Sequence, residues 1–164
     1  MQIRNVEPSD YASIIQVLND WWGGRLMSDM LPKLFFVHFR ETSFIAEQDG
    51  QIAGFLIGFV SQSLPDEAYI HFVGVHPDLR NSGVGRMLYE HFFETVRGYG
   101  RRLVRCVTAP VNKASIAFHQ RMGFEVEPQP AEADGIPFYC DYDGPGGDRV
   151  LLVKKLAFGA KEAI

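Results

Sequence analysis

The stretch VHPDLRNSGVGRML at residues 75–88 constrains this chain more than any other. An apolar strand passes through a short polar loop into a helix, with Gly83 and Gly85 at the junction. On the helix side Val84, Leu88, Phe92, Val96 and Tyr99 recur on one face, and Arg86, Glu90, Glu94 and Arg97 lie opposite. The first turn of a helix carries backbone N–H groups without internal acceptors, and the aligned peptide dipoles add about half a positive charge there. Glycine lets an anion approach the backbone closely, and Arg80 and Arg86 flank the turn with guanidinium groups suited to phosphate oxygens. The junction therefore predicts an α/β chain with a pyrophosphate-sized anion site, against the plainer reading of a surface turn. A mononucleotide P-loop lacks its G-K-[ST], and a dinucleotide fingerprint lacks its third glycine, where Leu88 stands.

The flanking segments supply the other layers. MQIRNVE predicts a short strand, and Pro8, Ser9 and Asp10 a turn and cap. A helix follows from about Ser9, with Ile14, Ile15, Val17, Leu18, Trp21 and Trp22 at helical spacing and Gly23 and Gly24 at its end. A second helix is expected over 29–40. SFIAEQ and QIAGFLIGFV form a hairpin about Asp49 and Gly50, and a further strand spans 68–75. After the long helix, RRLVRCVTA is a strand, and Asn112 opens the helix KASIAFHQRM, with Ala114, Phe118 and Met122 as its core stripe. GFEVE and DRVLLVKKL complete seven strands. Between these two, residues 128–148 exceed an ordinary hairpin loop and predict a binding loop or a mobile flap. The order implies one α/β domain over 1–164 around a central sheet.

Charge and composition exclude several partners. Sixteen Lys and Arg against twenty Asp and Glu give a net charge of -4 with no basic block, so nucleic acid is not an expected partner. The longest apolar run, AGFLIGFV at 53–60, falls short of the roughly 18 residues of a membrane-spanning helix. Cys106 and Cys140 cannot build a disulfide framework, and no secretory leader pattern opens the chain, so the expectation is a cytoplasmic protein. His38, His76 and His91 lack metal-ligand spacing. DYDGPGGD from Asp141 mimics the start of a calcium loop, yet proline holds the fifth ligand position and Leu152 stands where the bidentate glutamate belongs. No metal is expected.

RNSGVG at 80–85 resembles the R/Q-x-x-G-x-G/A loop of the GNAT superfamily of N-acetyltransferases. NKASIAFHQRMGFE at 112–125 resembles the same family's later motif, in which an Asn opens a helix ending in Gly-Phe. The element order agrees along nearly the whole chain. The resemblance implies a mostly antiparallel seven-stranded sheet, splayed between strands 4 and 5 and flanked by about four helices, and acetyl-CoA as cosubstrate. It assigns the pantetheine arm to the backbone of Val73, Gly74 and Val75. The pyrophosphate falls to the N–H groups of Arg80, Asn81, Ser82, Gly83, Val84, Gly85 and Arg86. Asn112, Ser115 and His119, at i, i+3 and i+7, share one helical stripe that would face the cofactor. Homodimers are common in that family; no interface is legible in this sequence.

Acetyl transfer to an amine needs a neutral amine, a donor for the developing oxyanion and a proton for the departing thiolate. A backbone N–H near Gly74 or Val75 is the implied donor. Tyr69 and His71 share one strand face and are the candidate bases, with reference pKa values of about 10 and 6.5. His119 stands where the family usually has a proton-donating tyrosine. The resemblance implies that the acceptor enters beside the loop joining the first two helices and the loop joining the last two strands. Trp22 and Arg25 in the first loop, and Tyr139 and Asp141 in the second, are therefore the candidate acceptor-binding residues. Aromatics with carboxylates suit a cationic amine, whereas Arg25 suits an acceptor bearing a carboxylate. The expected activity is N-acetyl transfer to a primary amine of a small molecule or protein by direct attack in a ternary complex. The competing reading is a noncatalytic acyl-CoA sensor, and a side chain at 119 able to move a proton favours the enzyme.

Overall fold

Strand β1 (Gln2–Asn5) pairs antiparallel with β2 (Phe44–Gln48), and β2 turns back into β3 (Gln51–Val60). The turn is Asp49–Gly50, both at positive φ (52° and 76°), the backbone that joins two twisted strands most tightly. A computed structural model describes residues 1–158; the last six residues of the domain expected over 1–164 lie outside the described residues. Among the described residues, no helix is long and apolar enough to cross a membrane.

The described residues divide into two compact units, one of Met1–Val60 with Ile70–Tyr99 and the other of Ser61–Tyr69 with the described residues from Gly100 on. Strand β4 (Glu67–Val75) contributes to both. In the first unit the hydrogen-bonding order is β1-β2-β3-β4. Helix α1 (Asp10–Trp21) buries Ile14, Leu18 and Trp21 in a cluster with Phe36, Phe55, Ile57 and Phe72. Each such side chain contributes about 1.5–3 kcal/mol on leaving water. The helix expected over 29–40 is instead a 3-10 turn at Ser28–Met30 and a short α2 (Leu34–His38). Pro32 accounts for the break, since it pushes the residue before it out of helical geometry; Leu31 sits at φ -128°, ψ 76°.

Helix α3 (Val84–Gly98) buries Tyr89 and Phe93 as well as Val84, Leu88, Phe92 and Val96. Its apolar face is thus wider than the single stripe expected. Tyr99 is not part of that stripe: it lies beyond the last helical residue, 46% exposed, and its hydroxyl bonds the Glu41 carboxylate. Gly54 lets this helix approach the sheet, because a Cβ there would lie 2.9 Å from the Gly74 carbonyl and 3.0 Å from Val84 Cγ1. The start of α3 and the end of β4 are held together through a position that admits no side chain.

In the second unit β4 pairs parallel with β5 (Leu103–Thr108), and β5 continues antiparallel to β9 (Val150–Lys155), which also pairs with β6 (Glu125–Val126). The fold is therefore mixed α/β with a seven-stranded, mostly antiparallel sheet and one parallel pair. Helix α4 (Lys113–Arg121) buries Ile116 and His119; Met122, just beyond it, is buried as expected, but Ala114 is exposed and Phe118 only half-buried. The buried stripe is rotated from the one expected, which draws His119 into the interior. The segment 128–148 contains a two-stranded hairpin, β7 (Ala131–Ala133) and β8 (Ile136–Phe138), turning at Asp134–Gly135 with φ 51° and 78°. It is followed by a backbone pair between Tyr139 and Arg149. The segment expected to be a binding loop or a mobile flap thus carries regular backbone hydrogen bonding.

Candidate active site

The first unit builds an anion cradle at residues 80–86. A 3-10 turn at Pro77–Leu79 leads into a loop in which Asn81 (φ 64°) and Gly83 (φ 93°) are both left-handed, and Gly83 caps α3. The Ser82 N–H and hydroxyl both bond back to the Leu79 carbonyl, and the first N–H used inside α3 is that of Met87, to Gly83. Among the described residues, the N–H groups of Asn81, Gly83, Val84, Gly85 and Arg86 meet no protein acceptor. No atom lies within 4 Å of where a Gly83 side chain would begin, so the approach to these amides is open. Both features fit a diphosphate at a helix N-terminus. Arg80 donates instead to the Trp21 carbonyl at the end of α1, and Arg86 lies 3.6 Å from Glu90 on the exposed helix face.

The end of β4 presents a one-sided edge. Pairing with β5 covers only Glu67–Tyr69, opposite Leu103–Arg105. The His76 N–H points to β3, where it bonds Ala53 O at 2.8 Å. By alternation, Gly74 also turns its backbone groups to β3, while Val75 and Val73 turn theirs to the other edge. The amides that turn outward are thus those of Val73 and Val75. The Gly74 α-carbon instead faces Phe55 and the Trp22 ring, with no room for a Cβ. Trp22 is half-buried, 5.0 Å from the Phe72 ring, whereas Arg25 is exposed next to two left-handed glycines, Gly23 and Gly24. The His71 Nε2 lies 2.7 Å from the Met30 carbonyl, and its ring stacks on Phe35 at 4.3 Å and 9°.

In the second unit the Asn112 side chain caps α4 by accepting from the Ser115 N–H at 3.3 Å. His119, 7% exposed, packs edge-on against Phe118 and Phe124. Its Nδ1 lies 2.7 Å from the Ser115 carbonyl and 3.3 Å from the Ser115 hydroxyl. A carbonyl only accepts, so Nδ1 carries the proton and the lone pair of the neutral ring is on Nε2. Burial pulls the His119 pKa below its ordinary value of 6.5, with the Ser115 carbonyl opposing. Burial likewise pushes the Tyr69 hydroxyl well above its ordinary value of 10.0, helped by Tyr142, Cys106 and Asp143 and opposed by Arg149. The two groups therefore stand in neutral forms with opposite capacities. Tyr69 keeps its proton at neutral pH, and the neutral His119 ring carries its lone pair on Nε2.

The segment after β8 is fastened internally. Asp141 (φ 54°) accepts from the Gly146 N–H, its own N–H donates to Asp148, and Asp143 pairs with Arg149 at 2.7 Å. Tyr139 stacks edge-on with Tyr142 at 5.2 Å, both exposed. The fold also gathers Cys140, Asp141 and Asp148, with donor atoms within 4.8 Å of one another, a grouping that spacing alone did not bring together. Asp141 and Asp148 push the Cys140 thiol up, which disfavours its thiolate.

Residues 11–124 match the acetyltransferase (GNAT) family model. The chain is 31% identical over 102 residues to the L-2,4-diaminobutyric acid acetyltransferase of Nocardia farcinica, covering 60% of this chain and 53% of that protein. It thus spans about half the length of that relative. It is 26% identical over 144 residues to the 5-NmdU N-acetyltransferase of Pseudomonas phage PaMx11, covering 85% of this chain and 98% of the other. Its fold superposes on yncA from Salmonella typhimurium, solved with its cofactor acetyl-CoA, with a TM-score of 0.66, 21% identity and coverage of 98% and 96%. With the family model spanning both the loop at 80–86 and helix α4, the chain belongs to the GNAT family of acetyltransferases.

Proposed function

We propose that this chain is an N-acetyltransferase that moves the acetyl group of acetyl-CoA to a primary amine by direct attack in a ternary complex. The observation that carries the reading is the cradle of unpaired amides at Asn81, Gly83 and Val84 to Arg86 beside an open, left-handed Gly83. Acetyl-CoA supplies an acyl group on a sulfur leaving group. The amides of the cradle hold the diphosphate, and the outward backbone of Val73 and Val75 pairs with the pantetheine as an added strand would. One of these outward amides donates to the thioester oxygen as charge develops there. The Nε2 lone pair of His119 takes the proton lost by the attacking amine as the C–N bond forms and the C–S bond breaks. The hydroxyl of Tyr69 donates a hydrogen bond to the departing thiolate, which takes a proton from solvent to leave as the thiol while His119 returns its own to solvent. Asn112 and Ser115 serve that arrangement by fixing α4 and the His119 tautomer. Trp22, Arg25, Tyr139 and Asp141 are assigned to the acceptor side. The relatives named above are an L-2,4-diaminobutyric acid acetyltransferase and a 5-NmdU N-acetyltransferase, so the reading commits to the amine group and not to its carrier.

The test is thiol release from acetyl-CoA across diamines, amino acids, aminoglycosides, modified nucleosides and N-terminal peptides. Amine-dependent release with at least one acceptor is expected. Tight acetyl-CoA binding with no release from any of them would support the acyl-CoA sensor instead.

A further inference from the structure

We infer that His71 is a positioning residue for amine recognition, which sets the segment joining α1 to α2 from strand β4. The inference rests on the acetyl-transfer reading above. Residues 22–30 leave the end of α1 with left-handed backbone at Gly23 and Gly24 and expose Leu26 at 68%. Three side chains outside the segment fasten it. Arg80 donates to the Trp21 carbonyl where it begins, and the Asn19 carboxamide oxygen accepts from the Met27 and Ser28 N–H groups at 2.8 and 3.0 Å. His71 holds its far end, with Nε2 at 2.7 Å from the Met30 carbonyl. That carbonyl can only accept, so Nε2 carries the proton and is spent on the tether. The ring face is also used, stacked on Phe35 at 4.3 Å.

His71 commits its Nε2–H to Met30 and its face to Phe35, joining both sides of the Pro32 break to the strand that carries Val73 and Val75. Its position therefore controls where Trp22, Arg25 and Leu26 stand, and so which amine is bound.

The test compares His71→Phe, which keeps a ring for Phe35 and loses the donor, with His71→Gln, whose side-chain amide can place an N–H where Nε2 stood. Two readouts are used: amide hydrogen exchange over residues 22–31 of the ligand-free protein, and steady-state kinetics with an amine that the parent acetylates. His71→Phe should speed exchange in that segment and raise the amine KM, each by about tenfold, as loss of one hydrogen bond allows. Its acetyl-CoA KM and its kcat should change little, and His71→Gln should restore both exchange protection and amine KM. Unchanged exchange in His71→Phe overturns the inference, and so does a kcat loss of about 100-fold or more shared by both variants, the mark of a missing base. A parent that acetylates no amine would remove the acetyl-transfer reading, and the exchange comparison would then decide the tether by itself.

Discussion

The Phe55 ring occupies the space that a side chain at Gly74 would need: a Cβ there would lie 2.5 Å from Phe55 Cε1. Phe55 is fully buried and stacked between Trp21 and Phe72, at 6.1 and 6.0 Å, so it has nowhere to retreat. Gly74→Ala should therefore cost about 1–3 kcal/mol, the usual penalty of overpacking a filled core. For a chain of this size that lowers Tm by about 2–4 °C per kcal/mol. Because Val73 and Val75 flank the displaced backbone, acetyl-CoA affinity should fall with it. A Gly74→Ala protein with the parent's Tm in calorimetry would show that the aromatic cluster yields.

Gly83 is the opposite case. Its Cβ would meet no atom within 4 Å, but its φ of 93° is one that side chains resist. Gly83→Val should cost about 1–2 kcal/mol of backbone strain and cover the amides, so that acetyl-CoA binding falls far more than folding. Arg80→Ala should weaken binding less, since an exposed charge is screened and the amides remain. Titration calorimetry on both folded variants checks the order; equal affinity in Gly83→Val and parent would remove the pyrophosphate assignment.

The edge of the sheet carries a charged knot in which Arg4 donates to both oxygens of Asp10 at 2.9 Å and to Glu47 at 2.7 Å. Burial by itself would raise the Asp10 carboxyl; hydrogen bonds from Arg4 and the Glu7 N–H, with the Arg4 charge, bring it below its ordinary 3.8. A depressed carboxylate contributes stability that is complete above the unfolded value of about 3.9 and is lost as pH falls through the folded one. Arg4→Met should thus destabilise most at neutral pH, with the difference from the parent narrowing below about pH 4 in urea melts. A constant difference across that range would mean that Arg4 acts through packing alone.

Much of this was legible before the structure, and the misses have physical causes. Asp49–Gly50 and Asp134–Gly135 are the same turn, with nearly equal φ values. The first was read because long apolar strands flank it. The second was missed because AEA and IPF, at three residues each, are too short to announce strands and Pro137 argues against the latter, although the dipeptide itself was the available signal. The cradle at 80–86 was legible because it is local, made of neighbouring amides and two glycines. His71 was not, since its partners Met30 and Phe35 lie about 40 and 36 positions away and only the fold brings them to it. Nor could spacing show which stripe of α4 turns inward, because Ala114 and Phe118 are as apolar as Ile116. That choice decides the environment of His119.

Burial holds folded His119 below 6.5, while the same residue in the unfolded chain titrates near 6.5. Between those values the unfolded state binds the proton and the folded state does not, so stability rises with pH across the window and is complete above about 6.5. His119→Phe removes that titration, and the loss of stability on acidification from about pH 7 to 5 should be smaller than in the parent. Matching acid slopes would assign the effect to other groups. The same variant loses Nε2 while keeping a ring against Phe118 and Phe124, and a missing general base typically costs about 100-fold or more. Turnover should fall by that order, with acetyl-CoA affinity nearly unchanged because the cradle at 80–86 is untouched. In the parent, the pH profile of kcat should rise through a pKa lower than that of free imidazole, and His119→Phe should lose that limb. A variant that turns over within about threefold of the parent, with chemistry rate-limiting, would leave water to take the proton from the amine.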